Sequence, residues 1–206
     1  MLYFDIGANV GRWSLANVDT ADKIIAVEAS PRTFQQLTRN TEHEPKIHRV
    51  NAAICDAAEP FVDFFECPDA HSGLSTSNEE WLTSEHSRFH NTPFQRIRCH
   101  TRTMDQLIDE HGVPDLIKID VEGGEHACLR SLTRKVDVLC FEWASELRDM
   151  AVACMDHLEG LGFSAFAIQF EDDYRYRPDR YTDKQAIVAL LDRTTPKVEW
   201  GMIWAT

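Results

Sequence analysis

No stretch of this sequence approaches the roughly 20 consecutive apolar residues that a membrane-spanning helix needs, and no leader-like segment precedes the first strand-like run. A soluble, cytoplasmic protein is therefore expected. The six cysteines (Cys55, Cys67, Cys99, Cys128, Cys140, Cys154) include no C-x-x-C pair and no metal-type spacing. Several sit in apolar runs such as VDVLCFEW, where a thiol acts as a small core hydrophobe, which points to a reducing compartment. Positive charge is scarce: 21 bases face 34 acids, for a net charge of -13. Such a field repels phosphate backbones and anionic lipid, setting nucleic acid and membrane aside as main partners. Repeats, low-complexity tracts and linkers are also missing. The 206 residues, 43% of them hydrophobic, are thus expected to form one domain over 1–206.

What is present is alternation. MLYFDI, DKIIAVEA, KIHRVNAAI, DLIKID and VDVLCFE read as buried strands, with GRWSLANV, a helix opened by Ser30 and Pro31, TMDQLIDEHG and GEHACLRSL between them. The second helix is expected to turn Phe34, Leu37 and Thr38 inward. FVDFFEC and RIRCHTRT read as extended pieces around a polar loop, HSGLSTSNEEW. A long helix in SELRDMAVACMDHLEGLG, then FSAFAIQF, a helix near DKQAIVALLD and WGMIWA complete the chain. Strands alternating with helices imply βαβ units and an open, doubly wound parallel sheet. Ligands in such sheets bind beyond the carboxyl ends of the strands.

The candidate motifs fall at those ends. In DIGANVG, Gly7 permits a sharp turn with no Cβ facing a ligand, and Gly11 lets the helix start close to the sheet. Asp5 is placed to accept a hydrogen bond from a cationic amine. The dinucleotide pattern G-x-G-x-x-G is absent, because Asn9 holds the place of its second glycine, so a nicotinamide site is the weaker reading. In AVEASP, Glu28, followed by Ala29, lies where a carboxylate takes both hydroxyls of a ribose. In VNAAICD, Asn51 with small Ala52 and Ala53 leaves room for an adenine, and Asp56 either reaches its amine or is a turn acid. A nucleoside joined to an amino acid is S-adenosylmethionine.

FDIGANVG, VEASPRTFQQL, VNAAI, TRTMDQLI and LIKIDVEGGEHACLRSL, over about residues 3 to 145, resemble the FkbM family of S-adenosylmethionine-dependent methyltransferases. The resemblance implies the class I methyltransferase fold, Rossmann-like, with a mostly parallel seven-stranded sheet and helices on both faces. It also implies an acceptor hydroxyl on a sugar or on a sugar- or polyketide-derived metabolite. The strand starting two residues from the first methionine suggests an unusually short enzyme or a domain cut from a longer polypeptide. A glycosyltransferase domain would be a natural fused companion of the latter.

Methyl transfer to a hydroxyl needs alignment and a base or a metal near the acceptor. KIDVEGGEH supplies Asp120 at a strand end and Glu122 two residues on, and Glu142 ends the neighbouring strand. Asp120, Glu122 and Glu142 are the catalytic candidates, Asp120 also facing the cofactor. Asp120 and Glu142 are the pair that could hold a divalent cation, or one acid could keep the other protonated. Lys118 is read as a structural partner of Glu142, and His126 as a helix-surface imidazole before a base. The serines and His71 of HSGLSTS, and the aromatic and charged EDDYRYRPDRY (171–181), are candidate borders of the acceptor pocket. The expected activity is O-methylation of a sugar or glycan hydroxyl. A cofactor-binding module without catalysis, and a methyltransferase for a non-sugar hydroxyl, are the alternatives.

Overall fold

The structure, a computed structural model, describes residues 1–56, 59–171 and 173–206. In chain order its elements are β1 (Leu2–Ile6), α1 (Arg12–Asn17), β2 (Lys23–Glu28), α2 (Pro31–Thr41), β3 (Ile47–Asn51), β4 (Ala53–Ile54), β5 (Phe61–Glu66), α3 (Glu80–Thr83), β6 (Gln95–Arg102), α4 (Met104–His111), β7 (Leu116–Ile119), α5 (Glu125–Arg130), β8 (Val138–Ala144), α6 (Arg148–Gly160), β9 (Phe166–Phe170), α7 (Lys184–Leu191) and β10 (Trp200–Ala205). Seven strands form one sheet in the order β3-β2-β1-β7-β8-β10-β9, and β10 runs antiparallel to both neighbours. This is the doubly wound, mostly parallel sheet expected from the alternation.

Period-two alternation sorts each strand between two cores. Phe4 and Ile6 of β1, Ile25 and Val27 of β2, and Ile117 and Ile119 of β7 pack under α4, α5, α6 and α7. Tyr3, Ile24, Ala26 and Leu116 point the other way, with Trp13 of α1 and Leu37 of α2. Each fully buried large side chain stabilises this sandwich by about 1.5–3 kcal/mol relative to exposure. Caps fix the helix starts: the Ser30 hydroxyl accepts from the Thr33 N–H, with Pro31 behind it, and Thr103 and Gln106 form a capping box on α4. The inward face of α2 is Thr33, Leu37 and Thr41, while Phe34 and Thr38 are only half-buried. Leu37 is buried as expected and Phe34 packs half-buried against the same core, while Thr33 and Thr41 join them in place of Thr38.

Two further expectations are corrected. KIHRVNAAI is not one strand. The chain leaves the main sheet at Ala52, and β4 joins a second sheet ordered β4-β6-β5, pairing Ala53 with Thr101. HSGLSTSNEEW is not an open loop either, because it holds a 3-10 turn over Asp69–Leu74 and the short α3. Among the described residues, no helix is long and apolar enough to cross a membrane.

Candidate active site

Strand β1 lies between β2 and β7, so the chain's windings diverge on either side of it. This is the switch point where open α/β sheets form a crevice. Its floor is the β1–α1 turn. The N–H groups of Gly7 and Ala8 both donate to Val27 O, at 3.0 and 2.8 Å, which fixes the turn to the end of β2. Gly7 has a φ of +75°, and a Cβ there would lie 1.7 Å from the Asp120 carbonyl oxygen. Only a glycine lets the ends of β1 and β7 come this close.

Two adjoining cavities, of about 230 and 460 Å³, run along these strand ends and share Gly7, Asn9, Ser72, Gly73, Asp120 and Tyr174. Glu28 and Ala29 line the first, and Ala52, Ala53, Ile54 and Phe64 give it an apolar wall suited to a purine. Glu28 is 7% exposed and accepts from the N–H groups of Asn9 at 2.9 Å and Ser30 at 2.8 Å. Burial outweighs these bonds and raises its pKa to about 7. One lone pair per oxygen is left for hydroxyl donors. Arg12 and Gln36 line the second cavity, a contribution no sequence pattern marked.

Three residues assigned to the cofactor take other places. Asp5 is fully buried and lines neither cavity; it accepts from Ser14 Oγ at 2.6 Å and pairs with Lys118 at 3.2 Å. Its side chain points beneath α1, because β1 alternation sends it opposite Phe4 and Ile6. Gly11, with φ +91°, is packed against Leu37 and Thr41 of α2, where a Cβ would come within 2.9 Å of both. Asn51 turns away from the cleft and donates to Glu28 O and Ala29 O, bracing the end of β2. Asp56 pairs with Arg130, the turn-acid reading.

Lys118 does not pair with Glu142. Its Nζ lies 3.2 Å from both Asp5 and Asp120 and donates to Gly7 O at 3.0 Å. Burial opposes the ammonium, yet the Asp120 and Asp5 carboxylates outweigh it and raise its pKa. A single cation thus joins the β1 turn to the β7 end.

The β7–α5 loop carries the acids. Asp120 N–H donates to Ile6 O, extending the ladder by one residue. Glu122 then takes φ +57°, an unusual state for a residue with a Cβ. Thr76 Oγ1 donates to Glu122 O at 2.7 Å, Trp81 Nε1 donates to Glu122 Oε2 at 3.1 Å, and Asn78 donates to Gly123 O. From below, buried Glu125 Oε1 accepts from Val121 and Gly123 N–H groups. Oxygens of Asp120, Glu122 and Glu142 lie within 4.8 Å of one another. Burial, then the neighbouring carboxylates, pushes Glu122 and Glu142 well above the usual range. The loop and β8 together therefore concentrate basic carboxyl groups beside the crevice.

Ser72, Gly73, Ser75 and Ser77 also line the cleft, but His71 does not. His126 stands half-buried on α5 beside Arg130 and lines neither of the two cleft cavities. Of the 171–181 segment, Asp172 lies outside the described residues. Tyr174 reaches the cleft, while Arg177 donates to Asn17 Oδ1 and sits over the Trp13 and Trp204 rings. Most of the segment is therefore a strap across α1 rather than a pocket wall.

Residues 5–164 match the family model described as methyltransferase FkbM domain. No curated protein matches the chain in sequence. The crystal structure of precorrin-6y C5,15-methyltransferase from Geobacter metallireducens is similar at a TM-score of 0.50 and 14% identity, over 100% of this chain and 79% of that one. The structure of precorrin 8W decarboxylase from Methanobacterium thermoautotrophicum has a TM-score of 0.50 and 10% identity, over 100% of this chain and 81% of that one. Identities this low speak for the fold alone, which is that of class I methyltransferases. With the family model spanning most of its length, the chain belongs to the FkbM methyltransferase family.

Proposed function

We propose that the chain transfers a methyl group from S-adenosylmethionine, the cofactor of this family and fold, to a hydroxyl of a sugar or glycan. The cleft fits the cofactor on its own features: the Gly7 approach that a Cβ would fill, Glu28 for a ribose, and the apolar wall at Ala52, Ala53, Ile54 and Phe64. Bound there, the cofactor supplies a methyl carbon whose bond to sulfur breaks, with its electron pair, as the acceptor oxygen bonds to it. The chain's residues do the rest. Lys118 fixes Asp120 at the strand end, and Glu122 or Glu142, in its ionised form, takes the acceptor's proton.

One observation carries the reading: carboxylates from the end of β7, the loop after it and the last residues of β8 converge where the cofactor cleft opens. A poor nucleophile such as an alcohol needs such a base. The net charge of -13 disfavours RNA as the acceptor. The same three side chains, all hard oxygen donors, suit a divalent cation. Held by Asp120, Glu122 and Glu142, it would ionise both glutamates and stabilise an acceptor alkoxide.

Labelled cofactor incubated with a glycan panel tests this. O-methylated product is expected on at least one neutral glycan. Cofactor binding with no product on any glycan argues for a non-sugar acceptor, and no product on any alcohol argues for a binding module.

A further inference from the structure

A third cavity, of about 400 Å³, meets the cofactor cleft at Glu122, Glu142 and Trp200 and is otherwise walled mainly by Leu74, Trp81 and Phe89. Its position is that of an acceptor subsite, since anything held there presents its inner end to the two glutamates. Its walls say which acceptor. Trp81 and Phe89 stand edge to face at 5.2 Å, and the Trp81 indole is pinned by its bond to Glu122. Trp81 itself is buried and backs the wall, while half-buried Phe89 and Trp200 offer apolar ring surface to the C–H groups of a ring.

Charge narrows the class further. Arg88 is the one cation lining this cavity among the described residues. Its Nε donates to Glu146 Oε1 at 2.7 Å, and Nη2 and Nη1 donate to Glu199 O and Val198 O. Glu146, with a side chain 4% exposed, neutralises it. The Arg88 charge is thus taken up within the protein, so an anion held among these walls would lack a counter-charge.

Resting on the methyltransferase reading above, we infer that this cavity takes an uncharged acceptor ring, with its C–H face on Phe89 and Trp200, and that uronic, phosphorylated or sulfated sugars are excluded. The apolar walls and the neutralised Arg88 set that selectivity. Phe89 contributes to acceptor binding and lines neither cofactor cavity.

The test is calorimetry on the wild-type chain loaded with S-adenosylhomocysteine. A neutral alkyl hexoside and the matching hexuronide, which differ by one carboxylate, are titrated separately. The hexoside is expected to bind at least about tenfold tighter, because a carboxylate held there without a free cation bears its desolvation uncompensated. Phe89→Ala is expected to weaken hexoside binding several-fold while S-adenosylhomocysteine affinity stays unchanged. Equal or tighter binding of the hexuronide overturns the inference, as does a Phe89→Ala protein that binds the hexoside undiminished. Absence of heat with S-adenosylhomocysteine itself instead sinks the cofactor reading. A neutral alicyclic alcohol and its hydroxy-acid counterpart separate the remaining outcomes. Binding of the alcohol alone retires the sugar and keeps the uncharged acceptor, and binding of no neutral compound overturns both.

Discussion

A Cβ on Gly7 would sit 1.7 Å from the carbonyl oxygen of Asp120, so these two residues hold the ends of β1 and β7 at a spacing only glycine allows. The obstacle is backbone, which no rotamer change relieves. Gly7→Ala is expected to destabilise the fold by about 2 kcal/mol or more and to remove S-adenosylhomocysteine binding. Denaturant unfolding and calorimetry on the variant check both.

Lys118 carries the charge balance of the same junction. Lys118→Met leaves Asp5 fully buried without its cation, and breaking a buried pair this way costs about 3–5 kcal/mol. Adding Asp5→Asn to that variant is expected to restore part of the loss. A double-mutant cycle by denaturant unfolding reads the coupling.

Both assignments show what the sequence hides. Strand and helix alternation, the Ser30 cap, and the cleft at the strand ends were legible, because periodicity and cap chemistry are local. The partners of Lys118 were not, because β1 and β7 are neighbours only through the strand order. Asp5 looked like a ligand contact in DIGANVG, yet alternation from Phe4 already turned it beneath α1. Gly11 and Asn51 serve α2 and the end of β2, contacts that span about 30 and 23 residues of sequence. The Trp81 and Phe89 walls lie in a segment whose polar composition concealed them.

Proton linkage gives opposite trends for stability and affinity. Glu28 and Glu125 are raised by burial from 4.5 to about 7 in the folded chain. A raised acid favours the fold while protonated, so that stability is full below pH 4.5 and is lost as pH rises through about 7. Glu122 and Glu142 act in the same direction. Ribose hydroxyls, in contrast, donate best to ionised Glu28. Ligand-free unfolding stability is therefore expected to fall from pH 5 to 7.5 as S-adenosylhomocysteine affinity climbs. Glu28→Gln is expected to flatten the affinity profile in calorimetry across that range.

The acid cluster has a kinetic signature. Glu142→Gln is expected to lower kcat by about 10²–10⁴, the usual worth of a general base. Its S-adenosylhomocysteine affinity should stay within a few-fold of wild type. Millimolar Mg²⁺ is expected to raise the Tm of the wild-type chain, by binding the folded state, and to leave a Glu122→Gln, Glu142→Gln double variant unmoved. Scanning calorimetry with and without EDTA measures this.

A crystal structure with S-adenosylhomocysteine bound addresses the central claim most directly. The ribose hydroxyls are expected on Glu28, the adenine between Ala52 and Phe64, and the sulfur facing Asp120, Glu122 and Glu142. A ligand whose sulfur points away from those three acids, or that binds outside the crevice between β1 and β7, would contradict it.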